Sequence, residues 1–155
     1  MANLRVTINE QINLENQEYG GMIEKTFSGI NEVLKRIVVC PASADTTVAT
    51  FQTATSTADN AIDLENVKYI RLTNLDSTNS INLSLQVAGA EGGTANMSTT
   101  ILVKAGESFI LGTIHDGIAL DDSGAGIVTA LTDLESLLVD PSANAVKVEV
   151  MIASA

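Results

Sequence analysis

The side chains that could do chemistry are few and scattered. His115 is the only histidine, and Asp116 follows it directly. A carboxylate beside an imidazole can orient the ring, and serines are plentiful. A hydrolytic triad, however, needs nucleophile, base and acid converging on an oxyanion hole. The chain has no glycine-flanked serine of the nucleophile-elbow kind. His115 therefore reads as a solvated loop histidine. Cys40 is the only cysteine and sits between Val39 and Pro41, after an apolar run. A reactive thiol needs an electropositive, partly exposed setting, so Cys40 reads as a small buried apolar residue. Asp116, Asp121 and Asp122 cluster in a glycine-containing stretch. Their spacing does not match a twelve-residue calcium loop, and no glutamate closes one. They read as a solvated acidic loop. Gly89, Gly92 and Gly93 lack the Lys-Ser or Lys-Thr that follows a phosphate loop. No catalytic, cofactor-binding or metal-binding residue is predicted, and the chain is not expected to be an enzyme.

The bulk composition excludes several other classes. The formal charge is -11, from 8 basic and 19 acidic residues. Such a field repels nucleic acid and anionic membranes and favours basic protein surfaces or cations. Tryptophan is absent and aromatics make up 3 %, which is poor material for stacking bases. No run approaches the roughly 20 apolar residues of a membrane span, and nothing after Met1 resembles a signal peptide. With 155 residues the chain fits one domain, and a single cysteine allows no internal disulfide.

The elements that must position any site are strands. In 67–87, VKYIRLTNLDSTNSINLSLQV, residues Ile81, Leu83, Leu85 and Val87 alternate with Asn82, Ser84 and Gln86. That period of two places the apolar side chains on one strand face. A second β-forming run, from Val67 to Leu72, precedes it. Asp76, Ser77, Thr78 and Asn79 supply turn chemistry between them, so the pair is predicted to form an antiparallel hairpin. Leu4, Val6 and Ile8 begin an N-terminal strand that continues through Ile12 and Leu14. Tyr19, Gly20 and Gly21 mark a turn or bulge, and 22–27 is a short strand. Further strands are expected at 33–39, 48–51, 101–103, 108–111, 118–120, 137–139 and 146–152. Gly106 should turn the chain between 103 and 108. Leu131, Leu134 and Leu138 lie near helical spacing, which suggests a short helix over 129–136. These strands, about nine without the short runs at 48–51 and 118–120, have turn clusters between them and predict an all-β, antiparallel sandwich or jelly roll with at most one short helix.

Three segments together carry a resemblance. They are YGGMIEKTFSGINEVLKRIVVCP (19–41), YIRLTNLDSTNSINLSLQVAG (69–89) with VKAGESFIL (103–111), and LTDLESLLVDPSANAVKVEVMIA (131–153). Their order resembles that of small β-rich virion proteins of tailed bacteriophages. In those, a strand ending in TNLD leads to an apolar strand, a Lys-x-Gly-Glu turn and an aromatic-aliphatic strand. The resemblance implies a structural component of the particle, with a capsid decoration (cement) protein favoured. The alternatives are a tail, neck or fibre-attachment protein, or a β-sandwich module for calcium or carbohydrate. The expected partners are further copies of itself, as a homotrimer, and the major capsid protein or another virion protein. Nucleic acid and membrane are not expected partners, and the location is the virion, assembled in the host cytoplasm. Residues 1–30 are read as an extended segment reaching to a neighbouring subunit or the shell, and 31–155 as the sandwich domain. The first and last strands carry little charge and no proline, so they are expected to be weakly protected sheet edges.

Overall fold

The structure is a computed structural model, and it describes residues 1–52, 61–63, 66–87, 97–112, 118 and 131–155. In chain order the strands are β1 (Ala2–Leu14), β2 (Gln17–Ile30), β3 (Glu32–Cys40), β4 (Thr46–Gln52), β5 (Ala61–Asp63), β6 (Val67–Asn74), β7 (Ile81–Val87), β8 (Met97–Val103), β9 (Ser108–Leu111), β10 (Leu134–Asp140) and β11 (Val146–Ser154). No helix occurs among the described residues.

Among the described residues β1 and β2 pair only with each other; the rest form a five-stranded sheet, β5-β4-β10-β7-β8, and a four-stranded sheet, β3-β11-β6-β9. All neighbours are antiparallel except the short parallel pair β4–β5. Without β5, the chain visits the two sheets in the order of a jelly roll. β3, β6, β9 and β11 lie in one sheet, and β4, β7, β8 and β10 in the other. The period-two patterns explain why the two layers must meet. β7 alternates buried and half-buried residues from Ile81 to Val87, and β11 buries Val146, Val148, Val150 and Ile152. These rows close on Ile70, Leu72, Leu83, Leu85, Leu137 and Val139 in one continuous core between the sheets. Burying such a side chain fully stabilises the fold by roughly 1.5–3 kcal/mol.

Four expectations need correction. First, 67–87 is not a hairpin. β6 and β7 belong to opposite sheets, and the 75–80 segment arches between the layers. Alternation fixes which face of a strand is apolar but not which strand lies beside it. The arch is held by Asn74, which is fully buried and whose Nδ2 donates to the carbonyls of Asn79 (2.8 Å), Val103 (3.3 Å) and Lys104 (3.2 Å). Its Oδ1 accepts from the Asp76 amide at 3.0 Å. The turn after β8 is tied to the same residue, since the Gly106 amide donates to the Asn74 carbonyl. There Gly106 does adopt the predicted positive φ, 74°.

Second, Leu134 opens β10 rather than closing a helix, and residues 131–133 are not helical. The leucine spacing that suggested helix reflects a register shift at Leu134/Ser136, a bulge that lets Leu134 and Leu137 both face the core. Third, the last strand is not an edge: β11 lies between β3 and β6, its charges Lys147 and Glu149 on the outer face. Fourth, Tyr19, Gly20 and Gly21 lie inside β2. The reversal is at Glu15 and Asn16, both with positive φ (53° and 62°), as a two-residue hairpin turn of the twist-matching kind demands. The strand expected at 118–120 is described only at Ile118, which makes an isolated bridge with Thr132.

Candidate functional site

The residues singled out for chemistry in the sequence do not assemble into a described site. His115, Asp116, Asp121, Asp122, Gly89, Gly92 and Gly93 lie outside the described residues. Cys40 ends β3 opposite Val146 and is fully buried. Burial pushes its thiol pKa up, against a smaller downward pull from a hydrogen bond with Thr46. Such a thiol is inert toward exposed reagents. Among the described residues no group of three or more histidine, cysteine, aspartate or glutamate side chains could hold a metal ion.

Two surface features remain. One is a shallow polar groove of about 270 Å³ on the outer face of the five-stranded sheet, lined by Asp45, Asn82, Ser84, Gln86, Ser98, Thr100, Leu138 and Asp140. These are the outward halves of the alternating patterns in β7, β8 and β10. Several of their polar atoms are already engaged: Gln86 Nε2 donates to Ser84 Oγ at 2.7 Å, and the Ser142 amide donates to Asp140 Oδ1 at 2.8 Å.

The other is the ribbon formed by β1 and β2. Its register pairs Leu4 with Phe27, Ile8 with Ile23 and Ile12 with Tyr19. Directly opposed residues share a face, so Leu4, Val6, Ile8, Ile12 and Leu14 with Phe27, Ile23 and Tyr19 form an apolar stripe, interrupted by Glu10 and bordered near its base by Lys25. Arg5, Thr7, Asn9, Gln11 and Asn13 line the opposite face. With 13 residues in β1, the ribbon extends on the order of 40 Å.

The stripe has two fates. At its base, Leu4, Val6 and Phe27 pack with Ile30 on Tyr69 and Ala153, which face outward from β6 and β11. The Phe27 and Tyr69 rings lie 6.3 Å apart at 48°, within the range of a favourable aromatic pair. This cover explains why Tyr69 and Ile70 are both buried although they point to opposite sides of β6. A register shift near Ala2/Leu4, with Gly29 at φ 79°, bends the ribbon where it joins the sandwich. Beyond the base the stripe has no cover among the described residues: Ile12 is 61 % exposed, Leu14 60 %, Ile23 64 % and Tyr19 51 %. What holds the distal ribbon is its own ladder, an exposed Arg5–Glu24 pair at 3.5 Å, and a Gln11–Glu18 hydrogen bond at 3.0 Å. An exposed ion pair of this kind contributes little, and a two-stranded ribbon alone is marginal in water. Near its tip the strands approach closely: a Cβ on Gly20, whose φ is 146°, would lie 2.0 Å from the Glu10 carbonyl oxygen. Of the glycine pair that looked like a turn, Gly20 admits the opposite backbone, while a Cβ on Gly21 would meet nothing within 4 Å.

The outer face of the four-stranded sheet continues beyond the ribbon's base. β3 exposes Val33, Lys35, Ile37 and Val39 there, β11 presents Lys147, Glu149 and Met151, and β9 presents Ile110. Glu149 sits between Arg71, with which it is paired in close contact, and Lys35 at 3.9 Å. The charges at 32–36 therefore divide. Lys35 lies on the outer face, and Arg36 points inward and donates to the Val48 carbonyl at 3.2 Å.

Comparison of the chain with family models, with curated proteins and with solved structures found no match.

Proposed function

We propose that this chain is a structural component of a tailed-phage virion, a capsid decoration (cement) protein that binds and stabilises the shell of the major capsid protein. The observation that carries the reading is a jelly-roll body bearing a long N-terminal ribbon whose distal apolar stripe is exposed and uncovered among the described residues. An element of that shape serves attachment. Its exposed isoleucines and tyrosine would be a liability for a free monomer and are useful once buried against another protein. Jelly rolls serve capsids, lectins and cupins alike, so the body alone chooses no function. The arm, the resemblance of the three segments to virion proteins and the charge of -11 favour the particle. An acidic body suits docking on basic patches of a shell. The lectin-like alternative finds less support: no aromatic side chain among the described residues lines the polar groove on the five-stranded sheet. In this reading the protein assembles in the host cytoplasm, forms a homotrimer and contributes binding rather than turnover.

The test uses particles of the phage that encodes the chain. Heads produced without it should disrupt at lower temperature than complete heads, and adding the purified protein back should restore both its sedimentation with the heads and their stability. Protein that stays in the supernatant of intact heads would overturn the decoration reading, and its recovery on isolated tails or necks would favour the neighbouring virion roles.

A further inference from the structure

We propose that the distal half of the β1–β2 ribbon lies, apolar stripe down, across the outer face of the four-stranded sheet of a second copy of this chain. Three observations support this.

The first is continuity. The base of the same stripe already packs on this face, against Tyr69 and Ala153. The base of the ribbon and one end of this sheet surface thus already fit one another within a single chain. The second is the composition of what remains uncovered. Val33, Ile37 and Val39 project from alternate positions of β3 and are 54 %, 59 % and 60 % exposed, with Ile110 at 45 % on β9. Rows of aliphatic side chains spaced by two are the natural complement of another strand's apolar row. Within its own chain the ribbon covers only the Tyr69 and Ala153 end, so the rest of the face is open to the stripe of another copy.

The third is charge. Residues 8–24 of the ribbon carry no lysine or arginine; Glu10 lies on the stripe face and Glu15 at the tip, while Glu18 and Glu24 lie on the opposite face, Glu24 paired with Arg5. The outer sheet face presents Lys35, Arg71 and Lys147 against the single acid Glu149. In a chain with only 8 basic residues against 19 acidic ones, this face gathers three of the bases. An acidic arm and a locally basic face attract within a protein whose overall field would otherwise hold its copies apart.

The contact joins two different surfaces, so repeated from copy to copy it makes a ring where the rotation closes, and two copies that exchange arms make a dimer. Each subunit gives one arm and receives one. The inference does not depend on the capsid reading, because every surface it uses belongs to this chain.

Sedimentation velocity on the full chain tests it. The expected result is an oligomer at micromolar concentration that weakens at high salt. Ile12→Asp with Ile23→Asp in the arm, or Lys35→Glu with Lys147→Glu on the sheet, should each raise the dissociation constant by on the order of 100-fold while leaving the β circular dichroism unchanged. The direct test mixes full chains carrying Ile12→Cys with full chains carrying Ile37→Cys and adds a short bis-maleimide. Covalent dimers joining the two variants are expected, with the unsubstituted protein as control for the buried Cys40. A monomeric full chain, an oligomer that ignores both variant pairs, or cross-linking that fails between the variants would overturn the proposal. Head binding measured on the same preparations separates the two readings. Arm variants that stay oligomeric but lose the heads would place the arm on the shell and sink this inference while sparing the decoration role. An arm-dependent oligomer that never binds heads would do the reverse.

Discussion

Asn74→Ala should cost this fold about 4 kcal/mol. The side chain is fully buried where the 75–80 arch meets the turn at 104–107. Four hydrogen bonds go with it: three donated by Nδ2 and one accepted by Oδ1 from the Asp76 amide. An ordinary intramolecular hydrogen bond contributes about 1 kcal/mol net, whereas a buried group left without its partner costs about 1–3 kcal/mol. The bond to the Val103 carbonyl is buried, so its loss carries the higher figure, while the other three are partly buried and water can replace them in part. The sum is about 4 kcal/mol, against a typical total stability of roughly 5–15 kcal/mol. For a chain of this size it lowers the melting temperature by on the order of 10 °C. Asn74→Asp should be at least as damaging, because it sets a carboxylate against three carbonyl oxygens. Urea denaturation followed by far-ultraviolet circular dichroism measures the difference. A loss under about 1 kcal/mol for Asn74→Ala would show that the arch is held elsewhere and that the geometry assigned to Asn74 is wrong.

Gly20→Ala should unzip the ribbon near its tip, because the new methyl meets the Glu10 carbonyl oxygen; faster amide exchange confined to β1 and β2, with the sandwich protected as before, is the expected signature. Asp76 accepts from the amides of Asn79 and Thr78, which hold its carboxyl pKa below the usual value, the Asn79 bond first. A carboxylate with a lowered folded pKa adds stability above its unfolded pKa and loses it as pH falls through the folded one. The stability gap between the native chain and Asp76→Asn should therefore be full at neutral pH and close in the acid range below the ordinary carboxylate pKa; a gap that persists unchanged at low pH contradicts the assignment. Cys40 should resist a thiol-reactive dye in the native protein and label at once in denaturant, since it is buried and its pKa is raised; rapid native labelling would place it at the surface.

Much of this architecture was legible in the sequence because strands announce themselves locally. The alternation in 81–87 and 146–152 fixed both the strands and their buried faces, and Gly106 marked its own turn through the positive φ only glycine adopts cheaply. The 33–39 run reads as β because β-branched residues precede Pro41. The arm was visible only in outline, since its stripe of Leu4, Val6, Ile8, Ile12 and Leu14 continues through polar partners on β2 that do not alternate cleanly. Gly20 and Gly21 looked like a reversal because glycine signals both a turn and a close backbone approach. The distinction lies in the carbonyl of Glu10, ten residues away in sequence.

Which strands pair is a different kind of fact. β6 and β7 follow one another and carry matching patterns, yet they lie in opposite sheets, while β11 finds β3 and β6 across most of the chain's length. Side-chain alternation is set by the pleat of one strand and can be read from that strand alone. Partner choice is set by which whole arrangement closes the core between the sheets and satisfies Asn74 at once. That condition is shared by residues far apart in sequence, so only the folded chain decides it.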